Sequence, residues 1–333
     1  MQKHRHIITL TLATAALSAV VGSCRKQDAA VPGFPLTASA SVNPYAGVKA
    51  AEGLSVRQLG EDSSLGLKWT VSDLRDPETK GGTVHDTFSS LHCWGYYTKG
   101  PWTKAATVNY CSDDFIQDGA LFVSDGRYPE VPSTMTTTFF AVAPADESLL
   151  SYGDKAGNEY KAGFTGYPTV RVTIPASVSD QKDILATVAP YTQAGSPVGS
   201  FPLIFRHILS GVCFRLGSVS APTRIEAVEL RNVRASRTYS LDGTWMEGYS
   251  SNSTISTRIE VGRDFAATAN SGEHLGGDDD IIFIVPQEFL RGCKIRVYHS
   301  ADRYDYTETS DDLLSSSGGS FEEGKLNTFI INL

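Results

Sequence analysis

Side chains able to do chemistry are sparse and scattered. In LIFRHILSGVCFRL, residues 203–216, His207 and Cys213 stand with Arg206 and Arg215 among apolar neighbours. An imidazole acts as a general base only with a partner at hydrogen-bond distance, and the local sequence supplies arginines alone. His207 therefore reads as a core histidine satisfied by backbone groups. The run Asp278-Asp279-Asp280 offers the hard oxygen ligands that Ca²⁺ takes. Gly276-Gly277 before it and IIFIVP after it instead suggest a solvated turn entering a strand, and Asp311-Asp312 and Glu322-Glu323 read the same way. Trp94, Tyr96, Tyr97 and Trp102 would make a platform for a sugar ring, but on a strand half of them face inward and core packing is favoured. The chain lacks H-E-x-x-H, C-x-x-C, G-x-S-x-G, a Walker loop and G-x-G-x-x-G after a strand. No catalytic residue, metal or cofactor is expected, and the chain is not expected to be an enzyme. A paired-carboxylate glycosidase remains a third reading, since its two acids need not be neighbours in sequence.

The elements that would position these side chains are strands. Phe201, Leu203, Phe205, His207 and Leu209 alternate on one face, and Val212, Phe214 and Leu216 continue in the other parity. The change of phase at Ser210-Gly211 suggests a β-bulge within one strand. Leu65, Leu67, Trp69 and Val71 alternate cleanly, followed by the polar loop SDLRDPETKGGT. Blocks such as TFSSLHCWGYYTKG, TMTTTFFAVAPAD and IIFIVPQEFLRGCKIRVYHS are short aromatic or β-branched runs closed by Gly, Pro, Asp or Ser, the rhythm of a sandwich or barrel. The fold class is all-β, with two domains expected at 51–180 and 181–333.

The start of the chain differs. Lys3 and Arg5 precede the apolar run Ile7 to Val21, and Val21-Gly22-Ser23-Cys24 follows. This has the form of a signal peptide over residues 1–23, with the small residues before Cys24 resembling a lipoprotein cleavage site. Several acyl chains on Cys24 would hold the protein at the outer membrane. Residues 24–50, rich in Ala, Ser and Pro, read as a lipidated tether. The formal net charge of −8 becomes −10 once Lys3 and Arg5 leave with the leader. So acidic a body argues against nucleic acid as a partner. Cys93, Cys111, Cys213 and Cys293 remain. Their even count allows disulfides in an exported protein, and buried thiols fit equally well.

Taken together, the lipoprotein leader, the early alternating strand followed by a basic residue, FFAVAP, KDILAT, F-x-H-x-L-S at Phe205 to Ser210 and VPQ at Val285 to Gln287 resemble the fimbrillin family of Bacteroidetes. That family supplies subunits and accessory proteins of type V pili, and the likeness spans residues 55–333. The resemblance implies two transthyretin-like β-sandwich domains in tandem, with the F-x-H segment a strand of the second. It further implies cleavage after a basic residue behind the first strand, here Arg75 or Lys80. A strand from another subunit would then fill the groove left by Leu65, Leu67, Trp69 and Val71. Burying those four side chains is worth roughly 6 to 12 kcal/mol in gross transfer terms. The family cuts after arginine, so Lys80 departs from its pattern.

The expected role is thus a structural or adhesive subunit of type V-like fimbriae at the cell surface. Its expected partners are other fimbrial subunits, the outer membrane through the lipid, and a host or bacterial surface receptor. The alternative is a glycan-binding lipoprotein of the outer membrane.

Overall fold

A computed structural model describes residues 33–42, 57–58, 65–74, 88–100, 108–152, 167–246, 253–268, 271–277, 280–300, 307–313 and 319–333. Cys24, Arg75, Lys80 and Trp102 lie outside the described residues. Twenty-three strands run through them. The first seven are β1 (Thr37–Val42), β2 (Arg57–Gln58), β3 (Lys68–Asp73), β4 (Ser90–Thr98), β5 (Val108–Asp118), β6 (Leu121–Ser124) and β7 (Thr136–Ala143). Next come β8 (Leu150–Tyr152), β9 (Thr169–Thr173), β10 (Leu185–Thr187), β11 (Tyr191–Ala194), β12 (Ser200–His207) and β13 (Ser210–Leu216). The third group is β14 (Thr223–Arg234), β15 (Ser236–Ser240), β16 (Thr244–Trp245), β17 (Thr254–Phe265) and β18 (Ile282–Ile284). The last are β19 (Gln287–Glu288), β20 (Lys294–Ser300), β21 (Thr307–Asp312), β22 (Ser320–Phe321) and β23 (Lys325–Ile331). Among the described residues no helix is long and apolar enough to cross a membrane. The all-β expectation holds.

The largest sheet runs β10-β12-β1-β6-β5-β4-β7-β11, and β10 also pairs with β7. That extra pairing closes seven strands into a ring, which leaves those seven without a free edge. Alternation fills its interior: Leu36, Ala38, Leu91, Phe115, Phe122, Phe139, Phe201, Leu203 and Phe205 are all buried there. A second body stacks the sheet β18-β13-β23-β3-β2 against β17-β14-β20-β21, with Val212, Phe214, Phe329, Ile259, Ile295 and Val297 between them. A third core joins the two. Trp94, Tyr96, Phe140 and Val142 on the outer side of β4 and β7 pack against Tyr152, Val170, Val172 and Tyr239 of the small sheet β16-β15-β9-β8.

Chain order and sheet membership diverge at three places. The tether expected over 24–50 contains β1, which lies between β12 and β6 with Leu36 and Ala38 almost wholly buried. The division expected near residue 180 does not coincide with a change of sheet. The strands β10, β11 and β12 return to the ring, β3 crosses to the second body, and β9 pairs with β15 from beyond residue 180. The F-x-H segment, expected in the second domain, is the end of β12 in the ring. Its change of phase is no bulge: β12 ends at His207 and β13 opens at Ser210 in a different sheet, so each parity points into its own core. Ile208 and Leu209, both fully buried, belong to the core between the bodies.

Candidate functional site

The alternating segment Leu65 to Val71 is seated in the second body. Leu65, Leu67 and Trp69 are 0%, 0% and 3% exposed, while Val71 is half-buried against the same core. Gly66, at φ +47°, turns the chain between the two leucines so that both point inward. From Lys68 to Asp73 the segment pairs antiparallel with β23, Trp69 opposite Phe329. The indole stacks on Phe329 at 6.0 Å and leans on Phe289 at 5.3 Å. Gly319 lies so close that a Cβ there would fall 2.7 Å from the indole, so only glycine leaves the ring its slot. Trp69 Nε1 donates to Asn327 Oδ1 at 3.1 Å, and Asn327 Nδ2 donates to Ser210 Oγ and the Gly211 carbonyl. One buried amide thus couples β3, β23 and β13, and removing any of the three would strand polar groups in a dry core.

The end of β3 meets the seam between the bodies. Lys325 Nζ sits 2.6 Å from Asp73 Oδ1, and Leu74 N–H donates to the Gly324 carbonyl. Gly324 N–H donates in turn to the Leu209 carbonyl, in the link between β12 and β13. Beside it the Glu323 carboxylate forms an ion pair with Arg206 Nε at 3.1 Å and accepts from Trp245 Nε1 at 3.1 Å. Arg206 Nη2 donates to Tyr239 Oη. A single turn therefore touches the ring through Arg206, the small sheet through Trp245 and the end of β3 through Gly324. Burial pushes the Glu323 carboxyl up to about 7, although Arg206 and Trp245 pull it down. Burial likewise pushes the Tyr239 phenol up to about 12.

The remaining sequence candidates fall elsewhere. His207 has a partner that its neighbourhood in sequence hid: Nδ1 contacts the carboxylate of Asp183, with both side chains buried. A cleft of about 270 Å³ opens beside the pair, lined by Phe88, Ser89, Pro144, Gln181, Lys182, Asp183 and Leu185, while the Asp183 side chain itself has 0% exposure. Trp94 and Tyr96 are buried in the central core and Tyr97 packs edge-on against Tyr110, so these three form no sugar platform. Cys93, Cys111, Cys213 and Cys293 are buried and not joined in disulfides. Cys93 stands opposite Asp113 and not Cys111 in the β4–β5 register, and burial raises its thiol well above the ordinary value. Asp280 accepts from the Gly277 amide, a turn contact. Asp278 and Asp279 are outside the described residues, as are the side chains of Asp311 and Asp312. Among the described residues no group of three or more His, Cys, Asp or Glu could hold a metal ion.

Neither a protein-family profile nor any curated protein matches the chain. Solved structures do. The chain is similar to a fimbrial protein from Bacteroides vulgatus, with TM-score 0.50 and 13% identity over 73% of this chain and 88% of that one. It is also similar to proteins described as proposed cell adhesion proteins. One from Bacteroides uniformis has TM-score 0.45 and 14% identity over 76% and 89% of the two chains. Another from Bacteroides ovatus has TM-score 0.41 and 13% identity over 90% and 92%. The likeness is one of fold: the chain shares the fold of a fimbrial protein.

Proposed function

We propose that this protein is a structural or adhesive subunit of type V-like fimbriae, exported as a lipoprotein through Cys24 and assembled by protease-triggered strand exchange. The observation that carries the reading is the seat of the segment Leu65 to Asp73, where Leu65 and Leu67 lead into β3 and are buried with its Trp69, just ahead of Arg75 and Lys80 in the sequence. A cut after Arg75 or Lys80 would put β1, β2 and β3 on one released piece. Its departure would open the ring between β6 and β12 and bare the edge of β23. Each exposed edge is a row of unpaired amides and carbonyls beside an apolar groove, a template for a strand of another subunit. The fold shared with a fimbrial protein supports the reading, and so do the net negative charge and the leader-like pattern of residues 1–24.

Limited trypsin digestion of the chain from residue 25 onward, followed by intact mass, tests it. A clean cut after Arg75 or Lys80, followed by ladders on a gel that grow with concentration, is the expected result. A synthetic peptide of residues 65–74 in excess should suppress the ladders by occupying the β3 seat. Resistance at both sites, with the protein staying monomeric, would sink strand exchange.

A further inference from the structure

At the border of the central core three polar side chains stand in series on the outer side of the ring. His92 of β4 lies directly opposite Asp114 of β5, and Ser112 shares the face of Asp114 two residues away on the same strand. Their atoms meet. His92 Nδ1 sits 2.6 Å from Asp114 Oδ1, and His92 Nε2 sits 3.2 Å from Ser112 Oγ. Two aromatic rings hold the imidazole: Tyr152 of β8 stacks on it at 3.9 Å, and Trp94 meets it edge-on at 4.5 Å. This packing leaves His92 7% exposed, whereas Ser112 is exposed and the Asp114 side chain is 44% exposed. A shielded imidazole thus holds an open hydroxyl. The order of the contacts sets the protons. A carboxylate only accepts, so Asp114 keeps the proton of the neutral imidazole on Nδ1. Nε2 is then the acceptor, and Ser112 donates to it. Orienting acid, base and hydroxyl stand in the relation that activates a serine. No G-x-S-x-G frames Ser112, because the three residues are assembled by the β4–β5 register and not by a turn.

We propose that Ser112 is a nucleophile that takes the acyl group of a small ester, with His92 as its general base and Asp114 as the positioning residue. As Ser112 Oγ bonds to the carbonyl carbon of the ester, its proton passes to His92 Nε2. The bond from that carbon to the alcohol oxygen then breaks, the alcohol leaves with the proton, and an acyl-serine remains. Water attacks the acyl-serine by the same proton route, releasing the acid and restoring Ser112. The two described clefts lie elsewhere, one beside Asp183 and one beside Arg263, so the site suits a short acyl group and not a long chain that needs a pocket. General-base assistance contributes about 10² to 10⁴-fold, so Ser112 should react at least about a hundredfold faster than an ordinary surface serine. The chemistry involves neither a cut nor an exchanged strand and is independent of the fimbrial reading.

Treatment of the uncut chain from residue 25 onward with an alkyl fluorophosphonate, read by peptide mass, and with p-nitrophenyl acetate, read by nitrophenol release, tests it. The phosphonyl group should appear on Ser112 ahead of every other serine. Ser112→Ala should abolish both reactions without moving the thermal midpoint, since the side chain is exposed. Asp114→Asn presents an amide that donates to Nδ1 and so shifts the ring proton to Nε2, where it blocks acceptance from Ser112. Both rates should fall about a hundredfold in that variant while the thermal midpoint is kept. His92→Gln should lower them equally, and the Asn variant is decisive should a substitution at the buried histidine fold poorly. Absence of label on Ser112, label spread evenly over surface serines, or equal rates in wild type and Asp114→Asn would each overturn the proposal and leave the three side chains as a cross-strand strut. Because no cut is made, failure here leaves the ladder experiment unaffected, and failure of the ladders leaves this site standing.

Discussion

Trp69 fixes β3 in its seat, and Glu323 ties the adjoining turn to Arg206 of the ring and to Trp245 of the small sheet. Trp69→Ala removes the stack on Phe329, empties the slot beside Gly319 and leaves Asn327 Oδ1 without its donor. Truncation of a buried aromatic costs about 3 to 5 kcal/mol, so urea unfolding should show a midpoint lowered by that equivalent. Glu323 acts through pH. Its folded-state value of about 7 lies above the ordinary 4.5, so the folded protein binds this proton more tightly than the unfolded chain does. The group's contribution to stability is greatest below pH 4.5, declines as pH rises toward 7 and stays flat above. The difference in stability between wild type and Glu323→Gln, measured by urea unfolding from pH 4 to 8, should carry that slope. A difference independent of pH would show that the carboxyl does not titrate in this window. Both residues were visible in sequence to different degrees. Alternation marked Trp69 as buried. Glu323 looked like part of a solvated acidic pair, because the Arg206 and Trp245 that surround it come from strands far away in the chain.

At the scale of elements, β1 and β3 show what periodicity can and cannot reveal. Large apolar residues every second position made Leu65 to Val71 legible as a half-buried strand, and the structure pairs it from Lys68 onward. The sequence TASASV in β1 offers only Ala38, Ala40 and Val42 at the inward spacing, and it reads as tether. Its burial depends on a tight place in the ring between two strands, where small side chains suffice. The break at Ile208 and Leu209 is a related case: a change of phase was plain, but phase alone does not distinguish a bulge from a chain moving between sheets. A chain starting at residue 43, which lacks β1, should expose the flanking edges of β6 and β12. We expect it to bind a hydrophobic dye in native buffer and to aggregate on concentration, whereas the chain from residue 25 does neither. Unaltered dye binding would mean that the ring closes without this strand.

For the molecule as a whole, the central core and the turn at Glu323 and Gly324 bind the ring to the second body. Buried side chains from β4, β7, β9 and β15 share that core with Phe283, Val285 and Leu326 of the second body. Unfolding should therefore be a single transition in urea, with far-ultraviolet circular dichroism and tryptophan fluorescence superimposing. Two separated transitions would show the bodies to be energetically independent. The all-β class was readable from composition and short aromatic runs. The interleaving of the chain was not, because a pairing such as Thr37 with Ser200 leaves no local trace in either segment.

The parallel pairing of β1 with β12 has a mechanical meaning. Six consecutive partners, Thr37 with Ser200 through Val42 with Phe205, run in register and in the same direction. A pull on the chain ahead of Thr37 along the strand axis loads all of these contacts together in shear, whereas a pull across the sheet would unzip them one by one. Any tension applied through the chain ahead of β1 would thus meet the ring in shear, the direction in which these six pairs resist together.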